Sequence, residues 1–369
     1  MMPTKREGLL WILLGLVGLA GCTSSSSHTA YVTLPSRNAI VAFRVDNHSG
    51  KMTQIVGSPF TGLDSPTSIL VHPSNKFAYV TNQLENDISL FTIDQNTGAL
   101  TEVMPRTAAG ITPVFLVMDA GAHFLFAANQ APNGTISVYT IDSGEGTLHE
   151  VAGSPFPTGA NPAALAITPS GKYLYVATPN LGFVFGYAVT PGTGNLQAVP
   201  SSPFLVGSGP VSVTVDPSEH FVYVANSAAS TISALAIDSS GSLVTNSVPG
   251  SPFPTCRTTT TPCNDSPISV VVHPSGQFLY VANNTSNNVS AYGIASSTGA
   301  LTLLTNSPFT AGTAPVFASV DSTGKFLFVG NQSSSSITEF NIDSTTGGLP
   351  STAAGASTNS APTSMFTTR

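Results

Sequence analysis

One short strand recurs seven times along the chain, and this repeat restricts the fold more than any other feature. It reads Tyr31-Val-Thr, Ala78-Tyr-Val-Thr-Asn82, Leu125-Phe-Ala-Ala-Asn129, Leu174-Tyr-Val-Ala-Thr178, Val222-Tyr-Val-Ala-Asn226, Leu279-Tyr-Val-Ala-Asn283 and Leu327-Phe-Val-Gly-Asn331. The aromatic positions 31, 79, 126, 175, 223, 280 and 328 are spaced by 48, 47, 49, 48, 57 and 48 residues. An even period of this length marks a stacked or ring-like repeat architecture. The one long interval contains Cys256 and Cys263, so its extra residues are an insertion in an otherwise regular pattern.

Each repeat carries four strand patterns and no helical one. Between residues 268 and 304 the runs are Ile268 to His273, Phe278 to Ala282, Val289 to Ile294 and Leu301 to Leu304, separated by turns such as Pro274-Ser-Gly276 and Ser296-Ser-Thr-Gly299. Runs that are apolar on both faces need cover on both sides. Sheets packed radially around an axis supply that cover and leave few open edges. The N-terminal repeat starts at its second strand, and Pro362 to Thr368 supplies the missing inner-strand pattern at the other end of the chain. The expected fold is all-β: a seven-bladed β-propeller with four-stranded blades, closed by the C-terminal strand in the N-terminal blade.

Residues 1–21 read as an export signal. Lys5 and Arg6 precede an apolar stretch from Leu9 to Ala20 that is too short to span a bilayer. Leu19-Ala20-Gly21-Cys22 resembles a bacterial lipobox, in which the cysteine becomes the lipidated first residue. Residues 22–29, with the run Ser24 to Ser27, are expected to be a tether, and residues 30–369 the propeller. The expected location is the bacterial cell envelope, on the periplasmic or outer-membrane side, with the membrane as a partner through Cys22. Removing the signal leaves 11−2=9 basic and 18−1=17 acidic residues, a net charge of −8. Such a chain lacks the basic footprint that nucleic acid requires. Cys256 and Cys263 are close enough in one loop to form a disulfide, which suits an exported protein; a metal site is the alternative, though no His or second Cys pair flanks them. The loop it closes is short, so its entropic contribution is at most about 2.5 kcal/mol.

The Tyr-Val-x-Asn strand, the hairpins Asp94 to Leu100 and Asp343 to Leu349, and the period of about 48 residues resemble the seven-bladed lactonase family, which includes 6-phosphogluconolactonase-like enzymes and YVTN-repeat proteins. The resemblance covers the whole chain after Cys22. It implies catalysis by an Arg-His pair after an inner-strand proline and by a Glu after the Tyr-Val-x-Asn motif. Here the post-proline pairs are Thr67-Ser68, Val114-Phe115, Ala163-Ala164, Val211-Ser212, Ile268-Ser269, Val316-Phe317 and Thr363-Ser364. The strand motif is followed by Gln83, Gln130, Pro179, Ser227, Asn284 and Gln332. Lactone hydrolysis needs a base for water and a cation or donor set for the oxyanion, and neither stands at these positions.

Charges expected on the face made by loops entering the inner strands and leaving the Tyr-Val-x-Asn strands are Arg37, Asp64, Glu85, Asp87, Arg106, Arg257 and Asp265. Arg106 and Arg257 could hold an anion, with Glu85 or Asp87 as acid or base; solvated loop charge is the plainer reading. His72 and His273, with Asp119, Asp216 and Asp321 at the same repeat position, read as turn formers rather than metal ligands. The Ser-Pro-Phe triplets at Ser58, Ser154, Ser202, Ser251 and Ser307 read as structural turns, with the Phe packed between blades. The expected function is a monomeric binding propeller without metal or cofactor, presenting its loop face to a small molecule or a protein. The alternative is a lactone hydrolase with relocated catalytic residues.

Overall fold

The computed structural model describes residues 27–131, 133–159, 161–256, 263–350 and 352–368. The expected signal segment and Cys22 therefore lie outside the described residues, as does Arg257. Seven antiparallel sheets form the blades of a ring. Blade 2 has the plainest path: Pro66–Val71 innermost, then Phe77–Asn82, Asp87–Ile93 and Leu100–Ala108 at the rim. The second strands of blades 2, 3, 5, 6 and 7 are buried at all six positions. Each blade is therefore apolar on both faces, and clusters of aliphatic and aromatic side chains fill every junction between neighbours.

Hydroxyl groups index one blade against the next. Tyr31, Tyr79, Tyr175, Tyr223 and Tyr280 donate to the carbonyls of Gly98, Gly146, Gly241, Gly299 and Gly347, at 2.7–3.0 Å. Each acceptor is the positive-φ glycine in the hairpin between the third and fourth strands of the following blade. Burial pushes all five phenols well above their ordinary range, so they remain donors.

The Ser-Pro-Phe triplets interrupt the rim strand, which pairs with the third strand before and after them, as Met52–Gln54 and Phe60–Thr61 do with Ala39–Asp46. Across the gap the serine Oγ accepts the free third-strand N–H: Ala42 to Ser58, Val138 to Ser154, Gly186 to Ser202, Ala234 to Ser251 and Ala291 to Ser307. The following phenylalanines pack into the clusters between blades, as the sequence indicated.

The ring closes as the strand count requires. Ser364–Thr367 pairs with Ser27–Leu34, matching Tyr31 with Phe366 and Val32 with Met365. Thr29 and Thr368 exchange two further hydrogen bonds. One boundary is corrected. The first strand begins at Ser27, so residues 27–29 of the expected tether belong to the sheet, and His28 and Thr29 are buried. Alternation within the strand places them beside residues that face blade 7 and blade 2.

At the junction of blades 7 and 1 the aromatic position is Phe328, which has no hydroxyl. Its cross-strand partner is Glu339, where the other blades carry Ala42, Leu90, Val138, Gly186, Ala234 or Ala291. Glu339 is fully buried, and neither carboxylate oxygen has a hydrogen-bond partner. It abuts Gly50, where a Cβ would collide with Oε1 and with the Phe326 ring. Burial raises its pKa to about 7.

Two predictions follow from this seam. Truncation after Ala361 removes Met365 and Phe366 and leaves an open edge on blade 1. Lost burial of about 1.5–3 kcal/mol per side chain is a large share of a typical net stability, so the variant should aggregate or melt well below the full chain. An unchanged melting curve would refute closure. The folded chain binds the Glu339 proton more tightly than the unfolded chain does. Its contribution is therefore complete below about pH 4.5 and is lost as pH rises to about 7, with a cost of about 3 kcal/mol above that. Glu339→Gln should raise Tm at pH 8 and have little effect at pH 4.5.

Candidate functional site

The inner strands surround a central channel with a cavity of about 780 Å³. The strand ends explain which side chains reach it. In blades 2, 3, 5, 6 and 7 the pairing register slips just after the inner-strand proline, as at Pro210/Ser212 and Pro267/Ser269. Such a bulge turns one extra residue out of the ladder. All fourteen post-proline residues named above line the channel, joined by Gln130 and Pro179 from the ends of second strands. The post-proline positions thus converge on one cavity, whereas of the positions after the strand motif only Gln130 and Pro179 reach it; the lining side chains there are hydroxyls, an amide, aliphatics, a proline and phenylalanines. No Asp, Glu, His, Lys, Arg, Cys or Tyr is among the lining residues described.

Several of those hydroxyls already have structural partners. The Oγ atoms of Ser68, Ser212, Ser269 and Ser364 accept the N–H of Leu116, Val270, Ala318 and Ile69 from the next inner strand. A serine at the second post-proline position therefore ties adjacent blades together around the axis. Thr67 bridges to Thr81 and to the Pro113 carbonyl, and Thr33 meets Thr363.

Of the charged loop residues, Arg106, Asp87 and Glu85 come together on blade 2, while Arg257 lies outside the described residues. Arg37 ends the exposed turn Pro35–Arg37, and Glu85 is exposed. Asp64 is half-buried, with its N–H directed to Asn82. Arg106 lies on the rim strand of blade 2. Its Nε donates to Glu102 at 2.7 Å, its Nη2 donates to the Gly62 carbonyl, and Asp87 lies 3.9 Å from Nη1. The hydrogen bond to Glu102 holds the guanidinium pKa above its ordinary value. Ser89 and Asn82 complete the network through Glu102 and Asp87. The sequence offered Arg106 as an anion holder; in the fold its guanidinium pairs with Glu102 on its own strand and with the Gly62 carbonyl in the loop from blade 1. Glu102, which the sequence reading left out, is the partner that decides this.

Asp265 is buried and accepts the Thr255 hydroxyl. Cys256 and Cys263 form the expected disulfide, with Cα atoms 5.8 Å apart. Their sulfurs cluster with Asp265, the one His/Cys/Asp/Glu group of metal-binding size among the described residues. A disulfide offers no thiolate, and thiolate is the ligand form of cysteine.

The histidines and aspartates of the inner-strand turns lie at the opposite mouth. His273 donates Nε2–H to the Gly324 carbonyl and accepts the Ser275 N–H at Nδ1. His72 accepts the Ser74 N–H in the same way. Asp119, Asp216 and Asp321 each accept the N–H five residues on. The Asn of each strand motif is likewise structural: Asn82, Asn129, Asn226, Asn283 and Asn331 are buried and donate to a hydroxyl on the adjoining third strand.

Fold and channel together define a seven-bladed propeller with a single axial cavity. The sequence matches the family profile "Lactonase, 7-bladed beta-propeller" over residues 22–160 and 165–365. The chain belongs to that family. Among solved structures it is similar to the periplasmic gluconolactonase PpgL of Pseudomonas aeruginosa, with a TM-score of 0.79 and 18% identity over 93% of this chain and 99% of that one. It is also similar to a candidate 6-phosphogluconolactonase of Bacteroides fragilis, with a TM-score of 0.78 and 20% identity over 94% and 99% of the two chains. A protein from Lactobacillus plantarum has a TM-score of 0.77 and 20% identity over 93% and 100%. Identities this low carry the fold alone. A search of curated protein sequences finds no match.

The Arg106 network makes its own prediction. Arg106→Ala strands Glu102 in a half-buried site and should cost about 1.5–3 kcal/mol, the range for a hydrogen bond to a charged group. Adding Glu102→Gln should recover part of that loss in denaturant melts, as expected for coupled partners.

Proposed function

We propose that this chain is an envelope-anchored lipoprotein whose propeller binds a neutral, hydroxyl-bearing small molecule at the channel without hydrolysing it. The observation that carries this reading is the lining of the cavity. Hydroxyl, amide and aliphatic groups stand where the family's acid–base and cationic residues are expected, and serines there are tied into the scaffold. Such a surface can exchange hydrogen bonds with an uncharged polar ligand and cover its apolar faces. It supplies neither a base near neutral pH nor a fixed positive charge for an oxyanion.

Envelope attachment is supported by Leu19-Ala20-Gly21-Cys22 and by a disulfide suited to an oxidising compartment. It is consistent with the periplasmic location of the similar Pseudomonas protein. Family membership favours a second reading, a lactone hydrolase using residues outside the canonical positions, for which Arg257 is the cation nearest the inserted loop.

The purified domain, incubated with a panel of sugar and aliphatic lactones, should show no turnover above background. At least one sugar or lactone should raise its Tm in a saturable way. Turnover abolished by Arg257→Ala or Arg106→Ala would establish the hydrolase instead. For the anchor, Cys22→Ser should take up no labelled fatty acid, and label persisting on that variant would remove the lipoprotein assignment.

A further inference from the structure

The direction of the first strand fixes where the chain leaves the propeller. Ser27–Leu34 ends at the Pro35–Arg37 turn, on the same face as the loops carrying Glu85 and Asp64 and the channel residues Gln130 and Pro179. Its first residue, Ser27, pairs with Asp46, where the Asp46-to-Lys51 hairpin turns on the opposite face. This strand lies between the inner and third strands of its blade, so the chain emerges within that opposite face and not at the rim.

Covalent lengths then limit the orientation. Five peptide steps separate Cys22 from Ser27. Whatever conformation they take, they span at most about 18 Å. The eight residues of Ser27–Leu34 rise about 23 Å across the blade. A lipid on Cys22 therefore cannot reach round to the loop face. The exit face also carries all four lysines that follow Cys22: Lys51, Lys76, Lys172 and Lys325, each exposed. Asp46, Asp94, Asp142, Asp238 and Asp343 share that face, and hydrogen bonds donated within their own hairpins hold each carboxyl below its ordinary pKa, so the face is not basic and the tether length alone limits the pose.

We infer that the propeller sits with its hairpin face against the phospholipid surface, and its channel mouth and loop face directed away from the bilayer. This rests on the lipid anchor of the proposed function. It makes the loop face the one accessible to ligand and assigns the opposite face a membrane role.

The test uses the full lipidated chain in vesicles of phosphatidylethanolamine and phosphatidylglycerol doped with a headgroup-quencher lipid. A fluorophore is placed at Lys51→Cys or at Glu85→Cys, both exposed, with the native disulfide left oxidised. Several-fold stronger quenching at position 51 than at 85 is expected. Inserting twenty Gly/Ser residues after Ser26 should bring the two signals together, because the tether then no longer limits the pose. Equal or reversed quenching in protein that floats with the vesicles would overturn the orientation alone. Protein that does not float would overturn the anchor, and the orientation with it.

Discussion

Burial of the second strand on both faces is the constraint from which the rest of this structure follows. A strand such as Phe221–Asn226, with no exposed position, cannot lie in a sheet that meets water on either side. Every blade must then be sandwiched, and identical units sandwiched in series either run on indefinitely or close into a ring. Closure is indexed by the tyrosine hydroxyl, which finds the hairpin carbonyl of the next blade in five of the seven repeats. Each contact satisfies a buried donor and an otherwise free turn carbonyl, while the ring around it contributes apolar area.

The seam between blades 7 and 1 departs from this rule. Phe328 lacks the hydroxyl, and Glu339 occupies the neighbouring position against Gly50 with both oxygens unpartnered. The two chain ends compensate through backbone pairing, with Ser364–Thr367 zipped to the first strand and Thr29 bonded to Thr368. The chain itself runs across this junction, from Thr352–Ser357 in blade 7 to Ser364–Thr367 in blade 1; the ring depends on hydrogen bonds and packing alone only inside blade 1, where that last strand meets the first.

The channel is lined by positions that the scaffold aims at the axis. The register slip after each inner-strand proline aims side chains at the axis whatever they are. Where the family is associated with Arg and His, this chain has Thr, Ser, Val, Ile, Ala and Phe, and four of the serines bind the next blade. These channel-facing hydroxyls thus also hold the ring together. Function in such a fold resides in these few aimed positions rather than in the architecture.

Blade number, strand order, the closing strand and the disulfide were legible in the sequence, because period, apolar runs and paired cysteines are properties of the chain itself. The post-proline positions could be named in advance only through the resemblance to the lactonase family; the bulge that aims them at the axis is visible only in the fold. The charged loop residues could not be judged in the same way. Whether Arg106 faces a ligand or Glu102 depends on side chains brought together from two strands and a loop, and no local pattern encodes that choice. The first strand extends back to Ser27 because Asp46, Val45 and Arg44 pair with Ser27, His28 and Thr29, and Thr368, more than three hundred residues away, bonds Thr29 on its other side. Glu339 looks like an ordinary polar residue in a strand until blade 1 closes over it. Sequence determined the repeating unit and the count, through local periodicity. Tertiary structure decided which charges are spent on the scaffold, which carboxyl is stranded at the seam and which face the chain leaves from, because those follow from contacts between residues far apart along the chain.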